Sequence, residues 1–285
     1  MSCPSPNGTW LKCSTSRSSP RPARSSRRSR LPMPSEARVH PSALAFERVV
    51  ADYERGRPEF PDAAIGFLDD RLGLAPGRTL LELGAGTGKL TRLLAPSGVR
   101  IIAVEPLAAM RGALGRNLPD VEVLDAVAED LPLGQGSIDA AVAAQAFHWF
   151  DGDRALTELA RVLLPAAPIA LVWNVRDESV PWIRELTELI EPYRGDTPSH
   201  RSLRWKAAFD ASDAFLPPEL TSFPYLHATT RERIVARVLS ISFIATLPAE
   251  ERERVAAGVR HLVPTDEVAF AYRTDVWVSR VRPAA

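Results

Sequence analysis

Three stretches of this chain gather the residue types that bind or react. The first is Thr79-Leu80-Leu81-Glu82-Leu83-Gly84-Ala85-Gly86-Thr87-Gly88-Lys89, an apolar run with an acid near its end that breaks into three alternating glycines. Glycine takes positive φ readily and lets a ligand approach the main chain closely. Leu90, Leu93 and Leu94 follow at helical spacing. The turn would therefore open onto a helix N-terminus, with free N–H groups and a partial positive charge. The second is Glu105, which stands 21 residues beyond Gly84 at the end of the next apolar run. A carboxylate there can accept two hydrogen bonds from a ribose diol. The third is Gln145-Ala146-Phe147-His148-Trp149-Phe150. His148 is the one titratable side chain well placed to take a proton from a hydroxyl or an acid. A capping or packing histidine is the competing reading.

The glycine spacing separates the ligand classes that use such turns. A phosphate-cradling loop needs Gly, four residues, then Gly-Lys-Ser/Thr. With Gly88-Lys89 as its end, the first position would be Leu83 and the last Leu90, and both are wrong. A dinucleotide turn needs Gly-x-Gly-x-x-Gly. Gly84 and Gly86 fit, but Lys89 stands where the third glycine belongs. The third glycine comes one residue early, at Gly88. Both cysteines, Cys3 and Cys13, lie near the start, and the five histidines show no ligand spacing, so no metal is expected.

The elements that must position these residues alternate. Apolar strands are expected at 79–83, 99–104, 121–124, 138–144 and 168–173. Amphipathic helices lie between them, one with Asp151 or Asp153 as its cap. Such alternation implies a parallel sheet covered on both faces, with ligands beyond the carboxyl ends of the strands. Upstream, a helix carrying Leu44, Phe46, Val49, Val50 and Tyr53 precedes a second helix opened by Pro61. Downstream, a helix near 181–194 leads to an irregular stretch reaching about 217. A strand at 220–229, helical patterns at 231–247 and 249–262, and a final strand at 267–279 follow.

The net charge of zero hides an asymmetry. Residues 1–35 carry Lys12, six arginines and no acid, and are rich in Ser and Pro. That composition does not support a packed core, so a disordered basic tail is expected. A plain extension, or translation from Met33, is preferred over a transit peptide or a nucleic-acid tail. The remainder is net acidic, which disfavours nucleic acid as a partner. With no apolar run near the length of a membrane helix, a cytoplasmic protein is expected. The chain divides into the tail (1–35), an N-terminal helical cap (36–75), a cofactor-binding core (76–175) and a C-terminal part with a helical insertion (176–285).

With these pieces in register, residues 42–175 resemble a class I S-adenosylmethionine-dependent methyltransferase. The likeness is to the small-molecule type-11 kind, a group that includes relatives of trans-aconitate methyltransferase. Matching stretches are Tyr53 through Pro61, Leu81 through Leu90, Val104 through Met110, Ala128 through Leu133 and Gln145 through Phe150, with Arg161-Val162-Leu163 and Trp173-Asn174. The last third matches mainly at Tyr272-Arg273-Thr274-Asp275. The resemblance implies an α/β, Rossmann-like three-layer sandwich with a mostly parallel seven-stranded sheet, its last strand antiparallel. It implies S-adenosylmethionine as cofactor and methyl transfer to a small-molecule acceptor. Glu82, Gly84, Ala85, Gly86 and Gly88 would form the cofactor turn, and Glu105, Pro106 and Met110 the ribose side. Ala128 and Glu129 would edge the adenine, and Gln145 would face the methyl group. Tyr53, Phe147 and Trp149 are candidate aromatic walls, since ring faces favour a sulfonium cation. Phe147, His148 and Trp149 would face the acceptor, and Arg57 would pair with the cofactor carboxylate. One departure is Pro165-Ala166-Ala167, where the family has Pro-Gly-Gly. Alanine at a positive-φ position costs stability. Three rivals remain: a nicotinamide-dependent oxidoreductase, opposed by Lys89; a methyltransferase-fold binding protein without activity; and an RNA methyltransferase recruited by the basic tail.

Overall fold

Side chains alternate between the two faces of a strand, and that alternation sets the layers here. In β1 (Thr79–Leu83), Leu80 points to one apolar layer while Leu81 and Leu83 point to the other. The chain is seen as a computed structural model that describes residues 38–283. The expected disordered tail lies outside those residues. The other strands are β2 (Arg100–Val104), β3 (Glu122–Leu124), β4 (Ala140–Ala144), β5 (Pro168–Arg176), β6 (Glu219–Thr230) and β7 (Glu267–Arg280). They form one seven-stranded sheet in the order β3-β2-β1-β4-β5-β7-β6. Strands β1 to β5 are parallel, and β7 inserts between β5 and β6, antiparallel to both. The expected sheet is the one that forms. The order reverses between β1 and β4, which opens a crevice at their carboxyl ends.

Helices α2 (Asp62–Leu72) and α3 (Thr91–Leu94) bury Leu68, Leu72 and Leu94 against one face of the sheet. On the same side, α4 (Ala108–Asn117) sets Leu114 against Ala103. The opposite face is covered by α5 (Gly152–Val162), through Leu156 and Leu159, and by α7 (Arg204–Ala211), through Trp205 and Phe209. A separate apolar cluster joins α6 (Pro181–Ile190), α8 (Arg231–Leu239), α9 (Ser242–Ala245) and α10 (Ala249–Leu262) to Phe270 and Tyr272 of β7. Polar bonds tie the N-terminal cap to the sheet. Asn174 Nδ2 donates to the Glu59 carbonyl at 2.8 Å, and Thr274 Oγ1 donates to Asn174 Oδ1 at 2.6 Å. The Trp173-Asn174 and Arg273-Thr274-Asp275 stretches thus meet on adjacent strands.

Several boundaries differ from the sequence expectation. The first helix is two pieces, a 3₁₀ segment Pro41–Arg48 and α1 (Val50–Gly56), because Val49 leaves helical geometry at φ −125°. The helix after the glycine turn is one short turn, continued as 3₁₀ into Ala95–Ser97, where Pro96 has no N–H to give. The pattern at 231–247 breaks at buried Ser240, whose Oγ donates to the Arg237 carbonyl at 2.8 Å. The stretch expected to be irregular holds α7, whose Trp205, Ala208 and Phe209 are buried at helical spacing. Ala166 keeps the left-handed turn at φ 61° despite its Cβ.

Candidate active site

The end of β1 is pinned to β2 by two donors on one acceptor. The N–H groups of Gly84 and Ala85 donate to the Val104 carbonyl at 2.8 and 3.1 Å. Gly84 then takes φ 64°, and a Cβ there would lie 2.6 Å from Ala146 Cβ at the exit of β4. The turn can cross that close to β4 only without a side chain. Gly86 N–H donates to Glu105 Oε2 at 2.9 Å, and Leu107 N–H donates to Oε1 at 3.0 Å. The carboxylate is therefore aimed by backbone. Each oxygen keeps further acceptor capacity. Burial pushes the Glu105 carboxyl up to about 7, against the pull of those two N–H groups.

One cleft lies over this turn. Tyr53, Arg57, Gly84, Gly86 and Glu105 line it. So do Pro106, Met110, Ala128, Glu129 and Gln145. Ala85 and Glu82 line a smaller recess behind, together with Tyr53, Arg57 and Gln145. Glu82 follows the strand alternation to the α3 side, where it accepts from Thr91 Oγ1 at 2.7 Å and burial pushes it up to about 7. Gly88 lines neither space. A Cβ on it would meet Leu118 Cδ1 at 2.9 Å, so its small size serves the packing of α4.

The exit of β4 turns sharply. Gln145 takes φ 57° while its N–H donates to the Val172 carbonyl at 2.8 Å, a conformation costly for a residue with a side chain. The 3₁₀ turn Phe147–Trp149 follows. Phe147 is 1% exposed, packs on Phe150 and Phe209, and does not line the cleft, but borders a further cavity together with His148 and Trp149. Trp149 stands edge-on to Phe46 and lines both the cleft and a second cavity next to it. Arg57 lies over the Tyr53 ring at 4.8 Å, and its Nη2 donates to the Ser240 carbonyl at 3.1 Å. The ring face expected to meet a sulfonium is thus covered by a guanidinium, which itself faces the cleft.

His148 lies outside the glycine-turn cleft and lines the second cavity. Its Nδ1 accepts from Trp173 Nε1 at 3.3 Å, which leaves the proton on Nε2. Burial, reinforced by neighbouring His200 and Arg57, pushes the imidazole down to about 3. So weak a base is poorly matched to proton abstraction at neutral pH. In the structure His148 is a buried neutral imidazole that accepts one hydrogen bond through Nδ1. Phe46, Leu107, Arg176 and Arg237 also line these spaces and were not singled out in the sequence. Phe46 showed only helical spacing, and the two arginines were lost among many.

A family model described as a methyltransferase domain, of type 11, matches residues 81–171. An uncharacterized methyltransferase-like protein of Schizosaccharomyces pombe is 36% identical over 247 residues, covering 84% of this chain and 96% of its own. An uncharacterized methyltransferase of Mycobacterium tuberculosis is 39% identical over 223 residues, covering 78% and 87%. Among solved structures, a type II methyltransferase from Anaeromyxobacter dehalogenans superposes with TM-score 0.59 at 26% identity, covering 80% of this chain and 99% of that one. A phosphoethanolamine N-methyltransferase of Haemonchus contortus, solved with S-adenosylhomocysteine, shares the fold at TM-score 0.51 and 14% identity, over 84% and 58%. The cleft fits that kind of ligand. Glu105 has acceptor capacity for a diol, Met110 and Ala128 offer an apolar edge, and the turn comes too close to β4 for any residue but glycine at 84. The chain belongs to the class I S-adenosylmethionine-dependent methyltransferases, with a type-11 methyltransferase domain, and is an enzyme whose cofactor is S-adenosylmethionine.

Proposed function

We propose that the acceptor is a small molecule, held in the second cavity beside the cofactor cleft. The observation that carries this reading is a shared wall: Phe46, Arg57, Gln145 and Trp149 line both spaces. A methyl donor in one and an acceptor in the other would meet across that wall. In this reading Glu105 takes the ribose hydroxyls, Ala128 and Glu129 edge the adenine, and the glycine turn admits the amino-acid tail. When bound, S-adenosylmethionine supplies a methyl group on a sulfonium, open to in-line attack. The chain's part is alignment and exclusion of water, which suits a displacement that needs little acid–base help. Trp149 and Phe46 close the wall, and His148 offers Nε2–H as a donor that orients the acceptor. The test is a search for methyl label. Purified protein is incubated with methyl-labelled cofactor and cell extract, then separated into metabolite, RNA and protein fractions. Label in the metabolite fraction is expected. Label confined to RNA or protein would sink the reading.

A further inference from the structure

Positive charge gathers along the second cavity. Arg57, Arg176 and Arg237 all line it, and no carboxylate lines it among the described residues. The two other arginines there are already paired, Arg194 with Glu191 and Arg201 with Glu178. Arg57, Arg176 and Arg237 have no ion pair among the described residues. Arg57 is held by the carbonyl and hydroxyl of Ser240. Arg237 is the sharpest case, because its Nε and Nη1 atoms are buried and have no hydrogen-bond partner. An unpaired buried cation costs several kcal/mol, on the order of a large part of a domain's stability. A buried group of this kind calls for a partner, such as a ligand or an ordered water. The guanidiniums also act on each other. Burial first, and the Arg237 charge second, push Arg57 down to about 9 and Arg176 down to about 10. Both still carry charge at neutral pH. Arg237 also borders the recess behind the glycine turn, whereas Arg176 borders only the second cavity. Arg176 therefore marks the acceptor side alone, while Arg237 is shared with the cofactor side.

We propose that Arg176 and Arg237 are the anion-binding end of the acceptor cavity, so that the acceptor carries a carboxylate or a phosphate. The fork of a guanidinium matches either group with two parallel hydrogen bonds. This rests on the reading of the second cavity as the acceptor site.

The test uses the full chain saturated with S-adenosylhomocysteine, and reads binding rather than turnover. Matched probes are acetate and acetamide, glutarate and glutaramide, benzoate and benzamide, with inorganic phosphate as the tetrahedral arm. At least one acid is expected to bind measurably while its amide does not; carboxylate against phosphate identifies the source of the charge. Arg176→Met and Arg237→Met should each weaken that binding by about tenfold or more, the worth of one charged hydrogen bond. In Arg176→Met, affinity for S-adenosylhomocysteine should change by less than about twofold. Without any ligand, Arg237→Met should melt higher than the parent, because an unsatisfied cation has gone. Acids that bind no better than their amides would overturn the proposal. So would a lower melting temperature with anion binding intact, which marks a structural arginine. A parallel loss of cofactor affinity in Arg176→Met would hand the guanidiniums to the cofactor. Label found only in macromolecules would end the small-molecule reading without touching the anion result, which stands on binding alone.

Discussion

In the proposed reading Glu105 carries the ribose contact. Two backbone N–H groups aim it, and its remaining lone pairs face the cleft. Glu105→Ala is expected to weaken S-adenosylmethionine by about one to two orders of magnitude, the worth of charged hydrogen bonds to a diol. Calorimetry giving a change within about twofold would move the ribose elsewhere. The same carboxyl sits near neutrality because burial pushes it up to about 7. Protonation removes acceptor capacity, so cofactor affinity should rise as pH increases from about 6 to about 8 and be flat in Glu105→Gln. His148 behaves the other way. Held down to about 3, it stays neutral through the working range. The pH profile of kcat/KM should therefore run parallel for the parent and His148→Gln. A break near neutrality present in the parent and lost in the variant would restore the histidine as a base.

At the scale of elements, two backbone sites carry opposite expectations. α1 and α8 cross where a Cβ on Gly56 would lie 2.3 Å from the Arg237 nitrogen and 2.6 Å from its Cα. Neither backbone atom yields cheaply. Gly56→Ala should cost about 1–3 kcal/mol as an overpacked contact and also displace Arg237. A melting temperature unchanged on that substitution would mean the crossing is loose. Ala166 is the reverse case. It holds φ 61° in the turn before β5, where alanine pays for left-handed geometry. Ala166→Gly should raise stability by about 1 kcal/mol, or roughly 2–4 °C. Scanning calorimetry showing no gain would locate a compensating contact. The sequence announced this turn, because alanine stood where a glycine was expected. It announced the strands too, since each is an apolar run closed by a turn. It did not announce α7, because Leu203 and the bends before it hid a short buried face.

Taken whole, the molecule shows which parts of a site sequence spacing can reveal. The cofactor end is read from contiguous stretches, because a strand, a turn and a helix N-terminus are neighbours in the chain. The proposed acceptor cavity draws Phe46, Arg176, Arg194, His200 and Arg237 from five separate segments. No spacing rule joins them, and their charge vanishes into an arginine-rich composition. The same buried groups govern stability against pH. Glu82 and Glu105 are both pushed up to about 7, while His148 is pushed down to about 3 and His200 to about 4. The raised carboxyls contribute stability that is fully present below their unfolded value, about 4.5, and is lost as pH rises through about 7. The depressed imidazoles contribute stability present above about 6.5 and lost as pH falls toward 4 and 3. Between about 4.5 and 6.5 the two slopes oppose each other, two groups against two, and this set should give a nearly level stretch. Paired surface acids such as Glu232, held low first by Arg260, add only to the loss at lower pH. Glu82→Gln keeps an acceptor for Thr91 and removes one of the opposing carboxyls. Its melting temperature relative to the parent should therefore climb steadily from pH 5 to pH 7.5, turning the level stretch into a rise. A constant difference across that range would mean that Glu82 ionises as freely in the folded protein as in the unfolded chain.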